Sequence, residues 1–376
     1  MLLAGTLANT ATAWEAERSV IHVDVYRKPG RFGGWPANHG IWSWGQEILV
    51  GFSAGFHKDL GPEFHNIDRE RPEEHLLARS LDGGRTWAIE DPAPQKVLIG
   101  TKGMRHGTLP TEHTEPEPVR LSTPINFTHP DFAMTCRMAG IHMGESRFYY
   151  SYDRGHTWRG PFQLPLLGQP GIAARTDYIV NSSRDCFLFL TAAKANEREG
   201  RPLCIRTTDG GQSWMLASFI GPEPAGYAIM PSTVRVSQTD LVTTIRRMEE
   251  GPPRRTFIEA WKSRDDGQSW ARLPDPVPDT GEGNPPDLIR LKDGRLCLTY
   301  GVRAKPFRME ARISSDSGES WSEPIVLRND GGGRDIGYPR SVQRPDGHIV
   351  TIYYFWDLKT GPERYIAATI WDPLSK

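Results

Sequence analysis

Residues 80–87 read SLDGGRTW, and nearly the same eight letters return four more times along the chain. The other copies are SYDRGHTW at 151–158, TTDGGQSW at 207–214, SRDDGQSW at 263–270 and SSDSGESW at 314–321. In turns, aspartate and Ser/Thr side chains bond nearby N–H groups, glycine supplies a positive φ, and tryptophan gives the next strand a large apolar face. We therefore interpret this aspartate box as a hairpin turn of the scaffold and not as a metal or catalytic site.

The spacing of the boxes predicts the architecture. Their aspartates are Asp82, Asp153, Asp209, Asp265 and Asp316, separated by 71, 56, 56 and 51 residues. A period near 50 that contains several short strands is typical of a propeller blade. Helical periodicity is nowhere sustained. The sequence therefore predicts an all-β fold.

Six pairs of apolar strands indicate six blades. The first strand of each pair starts with small or polar residues: GGWPANHG from Gly33, HPDFAMTCR from His129, RTDYIVN from Arg175, YAIMPSTVRV from Tyr227, NPPDLIRL from Asn284 and YPRSVQR from Tyr338. The last pair has no box, and residues 19–28, SVIHVDVYRK, form a strand with no blade of their own. We predict a six-bladed β-propeller of four-stranded antiparallel blades, closed by this N-terminal strand beside ERYIAATIW. Residues 19–376 are expected to form this single domain, preceded by a leader or disordered N-terminus at 1–18.

Composition narrows the class of partner. The formal net charge is −1, charged residues of both signs are mixed along the chain, and the mean hydropathy is −0.51. Neither a nucleic-acid footprint nor a membrane span is indicated. The N-terminus lacks the basic residues of a secretory signal, so it is either a shortened signal or a loose leader, and both cytoplasmic and exported locations stay open. The four cysteines lack metal-ligand spacing and are expected to be buried free thiols, with no cofactor or metal site.

Polar residues at the starts of the predicted inner strands are the candidates for a functional site. In a propeller these starts surround one mouth of the central channel, where ionisable groups suit an anionic or polyhydroxylated ligand. The candidates from these starts are His39, His129, Asp131, Arg175, Asp177, Asp287, Tyr338 and Arg340. The ends of the second strands add His57, Arg246, Arg247, Arg303, Tyr353 and Tyr354.

The boxes and the six-blade pattern resemble the sialidase superfamily and its BNR-repeat relatives from about Val20 to Trp371. The resemblance implies a carbohydrate-active enzyme, with three arginines that hold a substrate carboxylate, a tyrosine nucleophile activated by a glutamate, and an aspartate acid/base. Arg247, at the end of LVTTIRR, is similar to the second arginine, and Arg303, in LTYGVR, to the third. Tyr338 resembles the nucleophile. The acid/base would come from the loop before the first box, which offers Asp68, with Asp131 and Asp177 as further catalytic carboxylates.

Two family motifs are not matched. The family's R-I-P is replaced by Gly34-Trp35-Pro36, which removes the first arginine unless Arg27 or Arg31 reaches in. Met230-Pro231-Ser232 stands where the family has its glutamate.

Three functions stay open at this point. The first is an exo-acting glycoside hydrolase acting on a terminal acidic sugar. The second is a uronate-cleaving lyase in which tyrosine or histidine abstracts a proton. The third is a propeller that binds glycans without cleaving them.

Overall fold

The structure, a computed structural model, describes residues 20–99 and 115–374. Blade 1 contains β2 (Arg31–Gly34), β3 (Ile41–Trp44), β4 (Glu47–Phe56), β5 (Glu74–Ser80) and β6 (Ala88–Glu90), and blade 2 contains β7 (Ala133–Met138), β8 (Ser146–Ser151) and β9 (Arg159–Leu164). Blade 3 contains β10 (Ile172–Ala173), β11 (Tyr178–Val180), β12 (Cys186–Ala193), β13 (Glu199–Thr207) and β14 (Met215–Phe219), and blade 4 contains β15 (Tyr227–Arg235), β16 (Leu241–Glu249), β17 (Arg255–Ser263) and β18 (Ala271–Val277). Blade 5 contains β19 (Asp287–Arg290), β20 (Leu296–Val302), β21 (Arg308–Ser314) and β22 (Ile325–Arg328).

Blade 6 closes the ring as predicted. Its own strands are β23 (Gly337–Gln343), β24 (Ile349–Phe355) and β25 (Tyr365–Trp371), and its fourth strand is the N-terminal β1 (Ile21–Tyr26), which pairs antiparallel with β25. The N-terminal strand and the last strands of the chain are therefore held in one sheet, which closes the ring. The six-bladed all-β prediction is confirmed. The predicted leader at 1–18 lies outside the described residues.

The hydrophobic core lies between the blades. Ile48 and Val50 of blade 1 pack against Ile352 and Ile366 of blade 6, and comparable clusters fill the other junctions. Each buried side chain of this size contributes roughly 1.5–3 kcal/mol. All four cysteines are buried and free, as predicted. No helix in the described residues is long and apolar enough to cross a membrane.

The aspartate boxes have one geometry in all five copies. In the first, Oδ1 of Asp82 accepts from the Thr86 N–H at 2.9 Å and Oδ2 accepts from the Thr86 hydroxyl at 2.6 Å. Burial would raise the pKa of Asp82, but the combined hydrogen bonds from Thr86 and Ser80 lower it to about 2. In blade 1 the pieces β2 and β3 both pair with β4 and together form the inner strand, as β10 and β11 do beside β12 in blade 3. Counted in this way, the boxes in blades 1, 3, 4 and 5 follow the third strand, so they lie at the end of the ring opposite the starts of the inner strands. We call this end the far face and the other the mouth.

Blade 2 differs from the prediction. Its box follows β8, the second of its three described strands, so β7 corresponds to the second strand of the other blades. Thr135 of β7 still borders the channel, because its hydroxyl donates to the His39 carbonyl at 2.8 Å. The expectation that HPDFAMTCR starts an inner strand at the mouth is therefore wrong. Since neighbouring strands are antiparallel, the start of β7 lies at the far face and its end, Met138, lies at the mouth.

Candidate active site

Two cavities share a wall at the mouth. The first, of about 310 Å³, has aromatic and aliphatic walls that include Trp35, Tyr227 and Ile229, together with Arg175 and Glu199. The second, of about 430 Å³, is formed by charged and polar groups. Both are lined by the same four side chains: His65, Arg246, Arg254 and Tyr338. We call these cavities the first lobe and the second lobe, with Tyr338 at their junction.

Tyr338 lies in a field of arginines. Nη1 of Arg246 donates to the phenol oxygen at 3.1 Å, and the guanidinium of Arg303 lies 5.5 Å from the ring centroid. Burial alone would raise the pKa of this phenol, but the positive charges of Arg246, Arg303 and Arg175 lower the pKa of Tyr338 below its ordinary value of 10. The arginines therefore make Tyr338 easier to ionise than an ordinary tyrosine, and the phenolate formed on ionisation is both a nucleophile and a base.

The backbone of Tyr338 is strained in a way that two other mouth residues share. Trp35 (φ 57°), Met230 (φ 57°) and Tyr338 (φ 53°) all adopt the left-handed conformation, and each precedes a proline. The inner strands of blades 4 and 6 are bulged at Met230 and Tyr338. Left-handed non-glycine residues cost free energy and cluster at functional sites. The family resemblance implies its tyrosine at Tyr338, its glutamate in the segment of Met230, and its first arginine at Gly34, the residue before Trp35.

Asn284 holds the strained segment in place. The fully buried side-chain amide donates to the Ile336 carbonyl at 2.8 Å, and its oxygen accepts from the Tyr338 N–H at 2.9 Å. A Cβ atom on Gly337, which has φ 109°, would lie only 2.1 Å from this amide. The backbone conformation at Tyr338 therefore needs both Asn284 and a glycine at 337.

A buried network supports the wall formed by His65. Asp335 is 2% exposed, and its Oδ1 accepts from His65 Nδ1 and from the Tyr354 hydroxyl, both at 2.6 Å. Arg364 donates to Oδ2 at 2.9 Å. Burial would raise the pKa of Asp335, but His65, Arg364 and Arg303 hold it well below its usual range. Because Asp335 fixes Nδ1 of His65 as a donor, Nε2 is the nitrogen that can exchange a proton in the lobes.

Arginines 175 and 303 have different partners. Arg175 forms a bidentate ion pair with Glu199 in the wall of the first lobe, with Nη2 to Oε2 at 3.2 Å. Arg303 donates from Nε and Nη2 to the Ile336 carbonyl and from Nη2 to the Tyr354 hydroxyl at 2.7 Å. No carboxylate of the described residues lies in ion-pair contact with Arg303. Its charge is therefore available to the second lobe.

The structure shifts one arginine assignment by a single residue. Arg247 faces away from the lobes, with Nε 3.5 Å from Glu259 and Nη1 donating to the Tyr227 carbonyl at 3.3 Å. Arg246 takes the place in the site. Successive side chains of a strand point to opposite faces, so the two arginines that end LVTTIRR cannot both reach the mouth.

The strand assignment in blade 2 removes two candidates from the mouth. Asp131 is bonded to Arg154 at 2.6 Å, within the second aspartate box, and His129 packs on Tyr152 with ring centroids 4.6 Å apart. Both positions precede β7 and lie at the far face. The structure therefore does not bring His129 and Asp131 to Tyr338.

Three further candidates lie inside the channel, below the mouth. Asp177, Asp287 and Arg340 line a separate cavity of about 220 Å³. Arg340 bonds Asp287 at 3.2 Å and also donates to the carbonyls of Ala37 and Thr176. Burial raises the pKa of Asp287 and raises that of Asp177 to about 7. None of the three is among the residues that line the two lobes.

His39 and Asp68 are also placed outside the lobes. His39 is buried, with Nε2 2.9 Å from the Ser53 hydroxyl, and stacks on His75 at 4.3 Å. Asp68 lies near Lys58, with 3.5 Å between Nζ and Oδ1. The loop that carries Asp68 does reach the site, but through His65.

The family resemblance implies a first arginine and a glutamate that this chain lacks, and the residues at those two positions are uncharged. Arg27 pairs with Asp24 at 2.8 Å and Arg31 pairs with Glu74, so neither takes the place of the arginine missing at Gly34. Met230 is buried and clusters with Ala37 and Ile229, against which Tyr338 packs. The surroundings of Tyr338 are thus apolar where the family resemblance implies an arginine and a glutamate.

The comparisons with known proteins agree with this architecture. The family model described as a BNR repeat-like domain matches residues 119–352. The chain belongs to this family. Among curated proteins, none matches the chain in sequence.

Three solved structures share the fold at low identity. A protein of unknown function from Dyadobacter fermentans has 19% identity and a TM-score of 0.68, with 94% of this chain and 99% of that chain covered. The K499G mutant of NanB sialidase from Streptococcus pneumoniae has 11% identity and a TM-score of 0.60, with 92% and 70% covered. The α-L-arabinanase of Penicillium chrysogenum, complexed with arabinobiose, has 12% identity and a TM-score of 0.57, with 93% and 97% covered. These likenesses show the six-bladed propeller fold, which by itself does not fix an activity.

Proposed function

We propose that this BNR-family protein is an exo-acting glycoside hydrolase that removes a terminal acidic sugar at the mouth of the propeller. The observation that carries the proposal is the Tyr338 phenol, bonded to Arg246 and lying beside Arg303 and Arg175. Arginine binds carboxylates through charge-assisted, often bidentate hydrogen bonds. A tyrosine nucleophile also avoids the repulsion that a carboxylate nucleophile would meet next to an anionic sugar.

The proposed reaction uses residues of the two lobes. The Tyr338 phenolate attacks the anomeric carbon, the glycosidic C–O bond breaks, and the leaving oxygen takes a proton from Nε2 of His65. Water then attacks the same carbon and gives a proton to His65, while the phenolate leaves. The result is hydrolysis with retention of configuration. The arginines take the part that a neighbouring glutamate would otherwise play, because they lower the pKa of the phenol.

The compact lobes suit an exo mode of action. Cavities of about 310 and 430 Å³ lie toward the low end of the range for small-molecule sites, roughly 300–1,000 Å³. A terminal unit in one lobe and its neighbour in the other would place the scissile bond beside Tyr338. A long internal segment of polysaccharide would need a more extended groove.

A lyase is the second candidate, and one observation favours it. Met230 stands where a glutamate would activate the tyrosine, so Tyr338 has no carboxylate neighbour there, and a phenolate of lowered pKa is well suited to remove the proton next to a uronate carboxyl group. Arg246 or Arg303 would neutralise the carboxylate during such an elimination. In that reaction His65 would protonate the leaving oxygen.

Turnover of a panel of acidic oligosaccharides tests the proposal. Sialylated and uronate-terminated substrates are incubated with the wild-type protein and with Tyr338→Phe, and products are followed by mass spectrometry and ultraviolet absorbance. Release of an intact sugar by the wild type alone supports the hydrolase. An unsaturated, ultraviolet-absorbing product supports the lyase instead. Binding without any product, or full activity of Tyr338→Phe, would overturn the proposed reaction.

A further inference from the structure

The second lobe carries an excess of positive charge. Among the described residues that line it, four are arginines and one is a carboxylate: Arg246, Arg254, Arg303, Arg334 and Glu282. Arg334 is ion-paired with Glu282. The first lobe shares Arg246 and Arg254, but its own Arg175 is neutralised by Glu199. The additional positive charge of the second lobe is therefore that of Arg303.

Arg254 has no part in the proposed reaction. It lies on the turn between β16 and β17, its side chain is exposed, and it makes no hydrogen bond or ion pair with any residue in the described ranges. Arg246 is already bonded to Tyr338, and Arg303 to Ile336 and Tyr354. An unpaired guanidinium above a cavity already rich in arginine raises the cost of leaving that cavity without an anion.

The floor of the second lobe is rigid. The Thr256 hydroxyl donates to the Gly281 carbonyl. Two backbone hydrogen bonds of 2.9 Å continue this chain: the Thr280 N–H donates to the Thr256 carbonyl, and the Arg303 N–H donates to the Thr280 carbonyl. A Cβ atom on Gly281 would lie 2.5 Å from the backbone of Arg303, and one on Gly283 would lie 3.1 Å from the guanidinium of Arg246. The glycines at 281 and 283 therefore let this loop pack directly on the arginines. A preorganised floor lowers the ordering cost of binding an anion.

One carboxylate on the substrate does not account for this lobe. The proposed reaction uses Arg246 and Arg303, which lie at Tyr338. Arg254 and the Arg334–Glu282 pair lie on the remaining wall, and Arg334 also donates to the Glu63 carbonyl at 2.5 Å. We propose that this wall is a second anion subsite, which binds a sulfate or carboxylate group on the sugar unit next to the terminal one. The inference rests on the proposed function for the position of the terminal unit, and it names the substrate class as a polyanionic oligosaccharide.

Binding without turnover tests the subsite separately from catalysis. The host is Tyr338→Phe, and the probes are three disaccharides with the same terminal uronic acid, whose second unit carries a sulfate ester, a carboxylate or neither. Affinities are measured by isothermal titration calorimetry in the host and in the host with Arg254→Gln. The matched control is Arg264→Gln, an exposed arginine beside the fourth aspartate box on the far face.

The expected pattern is selective. Loss of one charge-assisted contact weakens binding by about tenfold, so Arg254→Gln should weaken the sulfated or carboxylated probe by about that factor and change the neutral probe less than about twofold. Arg264→Gln should change none of them. The preferred probe shows whether the subsite takes sulfate or carboxylate.

Two outcomes would overturn the proposal. One is equal affinity of the host for all three probes. The other is an equal effect of Arg254→Gln on all three probes. Neither outcome depends on turnover, so a failure of the proposed hydrolase would appear in the product assay and not here. A Glu282→Gln variant provides a second check, because freeing Arg334 from its ion pair should tighten binding of the anionic probes and leave the neutral probe unchanged.

Discussion

Nη1 of Arg246 lies 3.1 Å from the phenol oxygen of Tyr338, at the junction of the two lobes. The pair joins the end of β16 in blade 4 to the start of β23 in blade 6, so it exists only because the ring brings these blades together. Of the three arginines that lower the pKa of Tyr338, Arg246 has the largest effect. The titration of Tyr338 therefore reports on the geometry of the mouth.

This titration can be measured directly. We expect the difference in phenolate absorbance between wild type and Tyr338→Phe to show a transition below pH 10. The lowered pKa stabilises the folded state only above the unfolded value near 10, and that stabilisation is lost as pH falls through the folded value. A transition at or above pH 10 would contradict the charge arrangement described for the site.

Arg246 and Arg247 form a natural matched pair. Arg246→Gln should raise the pKa of Tyr338 and reduce kcat by roughly 10²–10³-fold, as expected for loss of one preorganised donor. Arg247→Gln should leave the Tyr338 titration unchanged and lower the free energy of unfolding by about 1–3 kcal/mol, because Glu259 is buried and loses a partner. The measurements are absorbance titration, turnover and chemical denaturation of both variants. Equal effects on turnover would contradict the assignment of Arg246 to the site.

This pair also shows what the sequence can and cannot predict. The boxes, the six blades and the closure by β1 follow from periodicity and turn chemistry, which are local signals. Which of two adjacent arginines faces the channel depends on register. Blade 2 is a similar case. The sequence pattern identifies β7 as the inner strand, whereas it is the second strand and runs in the opposite direction, so His129 and Asp131 lie at the far face and not at the mouth.

Other site residues had no sequence signal strong enough to select them. His65, Glu199, Arg254 and Arg334 lie in loops or at strand ends, where no period fixes their direction. The three left-handed positions did leave one signal, since W-P at 35–36, M-P at 230–231 and Y-P at 338–339 each interrupt the inner strand of a blade. Recognising that repeated aromatic or methionine-proline pair would have singled out the mouth.

Asn284 should act as a positioning residue for Tyr338. Asn284→Ala removes both hydrogen bonds to the strained segment, so Tyr338 should relax away from Arg246. We expect its pKa to move toward 10 and kcat to fall more than KM rises. Asn284→Asp is the conservative variant, which keeps the acceptor for the Tyr338 N–H. An unchanged Tyr338 titration in Asn284→Ala, with only a loss of stability, would show a purely structural role.

Variants in the Asp335 network should affect folding stability and turnover separately. Asp335→Asn leaves the buried guanidinium of Arg364 without its charged partner, which should lower the free energy of unfolding by about 3–5 kcal/mol. His65→Gln keeps that pair, so it should reduce turnover by about 10²–10⁴-fold with a much smaller loss of stability.

The lowered pKa of Asp335 gives stability above about pH 4 that is lost as pH falls toward the folded value. Denaturation at pH 3 and pH 7 checks this, and Asp335→Asn should flatten the dependence.

Asp177 should show the opposite pH dependence. Burial raises its pKa to about 7, so the ionised form is disfavoured in the folded state. Its contribution to stability is fully present below the unfolded pKa near 4 and is lost as pH rises through about 7. Asp177→Asn, which stays neutral, should therefore be more stable than wild type at pH 8, by an amount on the order of a few kcal/mol, and close to wild type at pH 4. Because Asp177 lies below the mouth, the variant should retain turnover. A large loss of kcat at unchanged stability would instead return Asp177 to the catalytic site.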